Sequence, residues 1–135
     1  MAEFKLNIGD PKSKKTIKKD IKDDEAESLI GSSMGDTVKG DSFGLEGYEF
    51  LITGGSDYTG TPMRKDVIGS ARKKILIVSG TGIRKNRPGR RVRRTVAGNT
   101  VYEKTAQINL KVTKQGKASL FEEPKEKAPA EEKTE

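Results

Sequence analysis

Seven of the eleven residues in 84–94 are cationic: Arg84, Lys85, Arg87, Arg90, Arg91, Arg93 and Arg94. None is acidic. Like charges at this density repel unless a polyanion neutralises them. Arginine dominates the run, and its planar guanidinium forks onto phosphate oxygens and stacks on flat rings. The chemistry available here is phosphate binding, and nucleic acid is the first partner to consider. Pro88-Gly89 breaks the run, which excludes a continuous basic helix, and no heptads follow. No aromatic residue stands between Thr59 and Tyr102, so stacking of single-stranded bases on Phe or Tyr has no support. An extended arm or hairpin that grips the phosphates and shape of structured RNA fits these residues better. Arg64, Lys65, Arg72, Lys73 and Lys74 would widen the footprint if the fold brings them to the same side.

Other chemistry is poorly supplied. The chain has no cysteine and no histidine. That removes disulfides, thiolates, the usual zinc sites and the default general base at neutral pH. The acidic clusters at 20–24 and 122–123 have no EF-hand spacing and no apolar surroundings, so a helix start and a solvated tail explain them better. The glycine-rich segment 54–60 follows a strand, as a phosphate loop does. It lacks the Gly-Lys-Ser/Thr ending, and Pro62-Met63 stand where the phosphate-binding helix would begin. A tight turn is expected there, with glycines at positive φ and Asp57 bonded to nearby backbone. Neither a cofactor nor a metal is expected, and an enzyme is not. The first residues carry Glu3 and Lys5 and no apolar h-region, so no signal peptide is expected. No stretch approaches a membrane span. The protein is therefore expected to be soluble and cytoplasmic, with neither a membrane nor a small-molecule substrate as partner.

The elements that must position the arginines come from a small core. Hydrophobic residues make up 31% and charged residues 35%, against roughly 45–50% and about 25% in an average domain. The net charge of +7 is uneven: 40–116 holds fifteen basic and six acidic residues, whereas 117–135 holds four and six. Alternation predicts strands over 3–8 and 14–21, joined as a hairpin across Gly9-Asp10-Pro11. Acids at the start and Gly31 after the end predict a short helix over 23–30. A brief strand is expected at 37–39, another at 48–53, and a buried apolar strand at 74–79. A strand broken by a turn at Gly98-Asn99 is expected over 95–101, and a final strand over 105–112. The fold class is mainly β: a small closed or partly open β-barrel over 1–116, with one short helix, the basic arm 84–94 and a disordered charged tail over 117–135.

The glycine segment and its flanks carry a resemblance. Ile52-Thr53-Gly54-Gly55-Ser56-Asp57-Tyr58-Thr59-Gly60-Thr61-Pro62-Met63 resembles the signature of the e-type "ribosomal protein S six" family of archaea and eukaryotes. The pattern is an apolar residue, a small residue, Gly-Gly, any residue, Asp, two free positions, Gly, any residue, Pro-Met. Gly54, Gly55, Asp57, Gly60, Pro62 and Met63 meet its fixed positions. The likeness extends back to Phe4-Lys5-Leu6-Asn7-Ile8 and on through Arg87-Pro88-Gly89-Arg90-Arg91-Val92-Arg93-Arg94, Val96-Ala97-Gly98 and the strand up to Lys114. It implies a barrel-type domain of the small ribosomal subunit that binds ribosomal RNA beside neighbouring ribosomal proteins and supports translation, with no catalysis and no cofactor. The glycine loop would be architectural, placing Arg64 and Lys65. Eukaryotic members run on into a long basic helix and a phosphorylated serine-rich tail. A short acidic tail stands here instead, so that regulation does not carry over and the length looks archaeal. A free-standing nucleic-acid binder or RNA chaperone is the alternative that the arm alone leaves open.

Overall fold

The computed structural model describes residues 2–84 and 87–117. Most of the expected tail, from 118 onward, lies outside them, as does Lys85. Alternating apolar residues build β1 (Glu3–Asp10), whose Phe4, Leu6 and Ile8 point inward and are buried. It turns at Pro11 into β2 (Lys15–Lys22), and the two pair antiparallel from Glu3↔Lys22 to Asp10↔Lys15, as the alternation predicts. Asp10 organises the turn: its carboxylate accepts from the Lys12 N–H at 2.9 Å and the Ser13 hydroxyl at 3.1 Å.

The helix is shorter than expected. The α-helix α1 spans Asp23–Glu27, and the chain continues to Ser32 in turns in which the Leu29, Ile30 and Ser32 N–H groups donate three residues back, while the Gly31 N–H donates to Val101 O. Leu29 is buried there, so the stretch between the acidic start and Gly31, read as one helix, finishes in this tighter winding. Next come β3 (Thr37–Lys39), as expected, and a 3-10 turn at Gly40–Phe43 that buries Phe43. Then follow β4 (Glu49–Asp57), β5 (Lys73–Ile77), β6 (Val92–Val96) and β7 (Thr105–Lys114).

Five strands form one sheet in the order β2-β1-β7-β4-β3, in which β1 and β7 run parallel and the other neighbours antiparallel. No pairing among the described residues joins β2 to β3, so the sheet is open and hydrogen bonding does not close the expected barrel. Instead Ala26, Leu29 and Phe43 join Leu6, Phe50, Ile108 and Leu110 in one apolar cluster against its inner face. The rings of Tyr48 and Phe50 stack there, 5.9 Å apart.

β5 and β6 form a separate two-stranded ribbon, and here three expectations change. β5 is not buried on both faces: Ile77 is buried, but Leu76 on the other face is 54% exposed. A ribbon with no second layer over its outer side cannot cover that face. β6 begins at Val92 rather than 95, so Arg93 and Arg94 are strand residues and the end of the basic run belongs to the ribbon. Finally, 54–57 is not loop but the end of β4, paired with β7 through Gly54↔Asn109, Gly55↔Ile108, Ser56↔Gln107 and Asp57↔Thr105.

Candidate nucleic-acid interface

The signature residues lie where the main sheet meets the ribbon. A Cβ on Gly55 would collide with the Gln107 carbonyl oxygen and the Met63 sulfur, so close strand approach explains this glycine. Positive φ belongs to Gly60 alone among the three glycines of the segment, in a turn closed by its N–H to the Asp57 carbonyl at 2.9 Å. The chain then doubles back. Asp57 N–H donates to Thr61 O at 2.9 Å, Met63 N–H to Gly55 O at 3.0 Å and Ala97 N–H to Pro62 O at 2.8 Å. Buried Met63 sits beside Ala97, which immediately follows β6. The segment thus joins the end of β4 to the root of the ribbon.

Asp57 is 2% exposed and carries the electrostatics of this junction. Its carboxylate accepts from the Tyr58 N–H at 2.6 Å and the Tyr102 hydroxyl at 2.8 Å, and it faces the Arg72 Nε at 3.3 Å. Burial first, then the bond to Asp57, pushes the Tyr102 phenol up to about 12. Arg72 also donates to the Tyr58 hydroxyl at 3.1 Å and the Thr59 hydroxyl at 3.2 Å, and its guanidinium lies 5.3 Å from the Tyr58 ring centre. Tyr58 and Tyr102 were not singled out by sequence. Two tyrosines flanking an otherwise aromatic-free stretch were the available signal.

The predicted cations fall into two groups. Arg64 and Arg72 are engaged within the chain. Arg64 pairs with Asp66 at 3.0 Å and donates to Thr81 O at 2.9 Å and Ser79 O at 3.4 Å, clasping the turn after β5. Lys65 is exposed, with its ammonium end beside Gly35. Lys73 and Lys74 are exposed on β5. By contrast Arg84, Arg87, Arg90, Arg91, Arg93 and Arg94 are all exposed. Each lacks an acidic partner among the described residues. The turn at 87–90 is closed by Arg90 N–H to Arg87 O at 3.2 Å, with Pro88 second and Gly89 third at φ 74. Proline followed by a left-handed glycine is the type II pattern, and it sets Arg87 and Arg90 at the turn's two ends.

Strand geometry then divides the remaining arginines. Register pairs Ile77↔Val92, Ile75↔Arg94 and Lys73↔Val96 on the face that contains buried Val96 and Ile77. Leu76↔Arg93 and Lys74↔Thr95 occupy the opposite, solvent-facing side. The 82–84 loop lies against the first face: a methyl on Gly82 would stand 3.1 Å from Val96 Cγ1. Between loop and ribbon is a cleft of about 450 Å³ lined by Gly82, Ile83, Arg84, Arg90, Val92 and Arg94. Three guanidinium-bearing residues and two half-buried aliphatic ones share it. The sequence shows these arginines but not the cleft, whose aliphatic members come from two separate segments.

The whole chain was compared with known proteins. It matches the family described as ribosomal protein S6e over residues 4–123. The small ribosomal subunit protein eS6 of Nitrosopumilus maritimus is 43% identical over 137 positions, covering 100% of this chain and 97% of the relative. The protein of the same name from Halorubrum lacusprofundi is 42% identical, with 83% of each chain covered. That of Haloarcula marismortui is 42% identical, covering 86% of this chain and 90% of the relative.

Proposed function

The chain belongs to the ribosomal protein S6e family, and on that premise we propose that it is a structural constituent of the small ribosomal subunit that grips folded ribosomal RNA with the arginines of 84–94. The observation that carries this reading is the division of the arginines. Arg64 and Arg72 meet carboxylates of their own chain, at 3.0 and 3.3 Å. Arg84, Arg87, Arg90, Arg91, Arg93 and Arg94 meet none among the described residues. Six clustered guanidinium groups without anions repel one another until a polyanion binds, and bidentate contacts to phosphate then satisfy their donors.

Residues 1–116 act as one body that presents the ribbon and the 84–90 segment to RNA. Lys73 and Lys74 add charge from the neighbouring strand, and Lys65 from beside the ribbon's root. Arg64 and Arg72 serve the RNA indirectly, by holding the ribbon in place. The signature segment is architectural, and no step of catalysis is assigned to it. The protein works in the cytoplasm as part of the ribosome, beside other ribosomal proteins.

Sucrose-gradient sedimentation of a cell lysate tests the reading. The protein should travel with small subunits at moderate salt. Recovery at the top of the gradient would overturn the ribosomal role and favour a free-standing nucleic-acid binder.

A further inference from the structure

We propose that the cleft between the 82–84 loop and β6 receives the base of a single unpaired RNA nucleotide. The inference rests on the RNA-binding reading above and specifies what kind of RNA feature the protein selects. Phosphate binding by itself needs only convex, exposed cations, as Arg93 supplies on the other face of the ribbon. This side is concave. Its volume of about 450 Å³ falls within the roughly 300–1,000 Å³ of pockets that enclose small organic ligands. Ile83 and Val92 contribute apolar surface, and both are only half-buried. A flat heteroaromatic ring can cover such surface and remove it from water.

The rim supplies the complementary chemistry. Arg84, Arg90 and Arg94 line the same cleft from three positions: the loop, the end of the 87–90 turn and the strand. None has an acidic partner among the described residues. A guanidinium plane stacks on a base, while its neighbours reach the phosphates on either side of an extruded nucleotide. A base locked in a helical stack cannot enter; a bulged or looped-out base can. The missing aromatic platform is thus replaced by arginine planes above an aliphatic floor.

Fluorescence anisotropy with the full chain and three labelled RNA hairpins tests this. The hairpins share one stem sequence. One is fully paired, one carries a single unpaired adenosine, and one carries an abasic residue at that bulge. The bulged hairpin should bind about tenfold more tightly than the paired one. The abasic hairpin should lose that preference. Ile83→Ser, which removes apolar surface from the cleft and keeps its arginines, should bring the ratio of bulged to paired affinity towards one. Equal binding of all three hairpins by the unaltered protein would overturn the base-binding cleft and leave the RNA reading standing. Binding of none would overturn both.

Discussion

Removing the Asp57 carboxylate would leave two donors without their acceptor, the Tyr102 hydroxyl and Arg72 Nε, while the Tyr58 N–H keeps the Lys104 carbonyl at 3.0 Å. Breaking a fully buried ion pair costs roughly 3–5 kcal/mol. The Arg72 side chain is 38% exposed and can recover water, so Asp57→Ala should cost about 2–3 kcal/mol, read as a lower midpoint in urea. Arg93→Gln, at an exposed site without an acidic partner, should stay within about 0.5 kcal/mol of the parent. Two titrations probe the same scale. The Tyr102 phenol is raised to about 12 from an ordinary value of 10.0. Its contribution to stability is therefore complete below pH 10 and is lost as pH rises through about 12. In an ultraviolet titration Tyr102 should remain protonated at pH 11, and Tyr102→Phe should remove the latest ionising step. Asp10 is shifted the other way. The Lys12 N–H, foremost, with the Ser13 hydroxyl and the Gln115 amide, holds its carboxyl below the ordinary 3.8. That contribution is present above pH 3.8 and fades as pH falls through the lowered value. The stability gap between the parent and Asp10→Asn should accordingly narrow on acidification below pH 3.8.

At the scale of elements, legibility followed alternation. β1, β2, β3 and β7 and the first part of β4 could be read because inward apolar and outward polar residues take turns. Gly54 and Gly55 read as loop because glycine usually marks a turn, yet tight packing against Gln107 makes Gly55 a strand residue. Arg93 and Arg94 read as an arm because their charge masks the alternation of Val92, Arg94 and Val96. The parallel pairing of Leu6 with Ile108 joins residues about a hundred positions apart, and no local signal reports it. The ribbon's dependence on its root is testable. Arg64→Ala removes the donor to Ser79 O and Thr81 O. Hydrogen exchange across β5 and β6 should then quicken, while the pairing of β1 with β7 keeps its protection. Uniform acceleration over both sheets would instead make Arg64 a support of the whole fold.

Taken whole, the molecule separates its tasks. The five-stranded sheet buries the apolar cluster, and the junction around Asp57 fixes a ribbon to it. That ribbon and the residues leading into it carry Arg84, Arg87, Arg90, Arg91, Arg93 and Arg94, which meet no carboxylate among the described residues. The stabilising contacts lie in one part and the cations proposed to bind RNA in another, so on that proposal binding can be removed without unfolding the protein. The salt dependence of binding to small-subunit ribosomal RNA tests this most directly. Six phosphate contacts predict that log K falls against log[salt] with a slope of roughly −4 to −5. Replacing Arg84, Arg87, Arg90, Arg91, Arg93 and Arg94 together by glutamine should flatten that slope towards zero and leave the thermal midpoint within a few degrees of the parent. An unchanged slope in the variant, or a variant that no longer folds, would contradict the account.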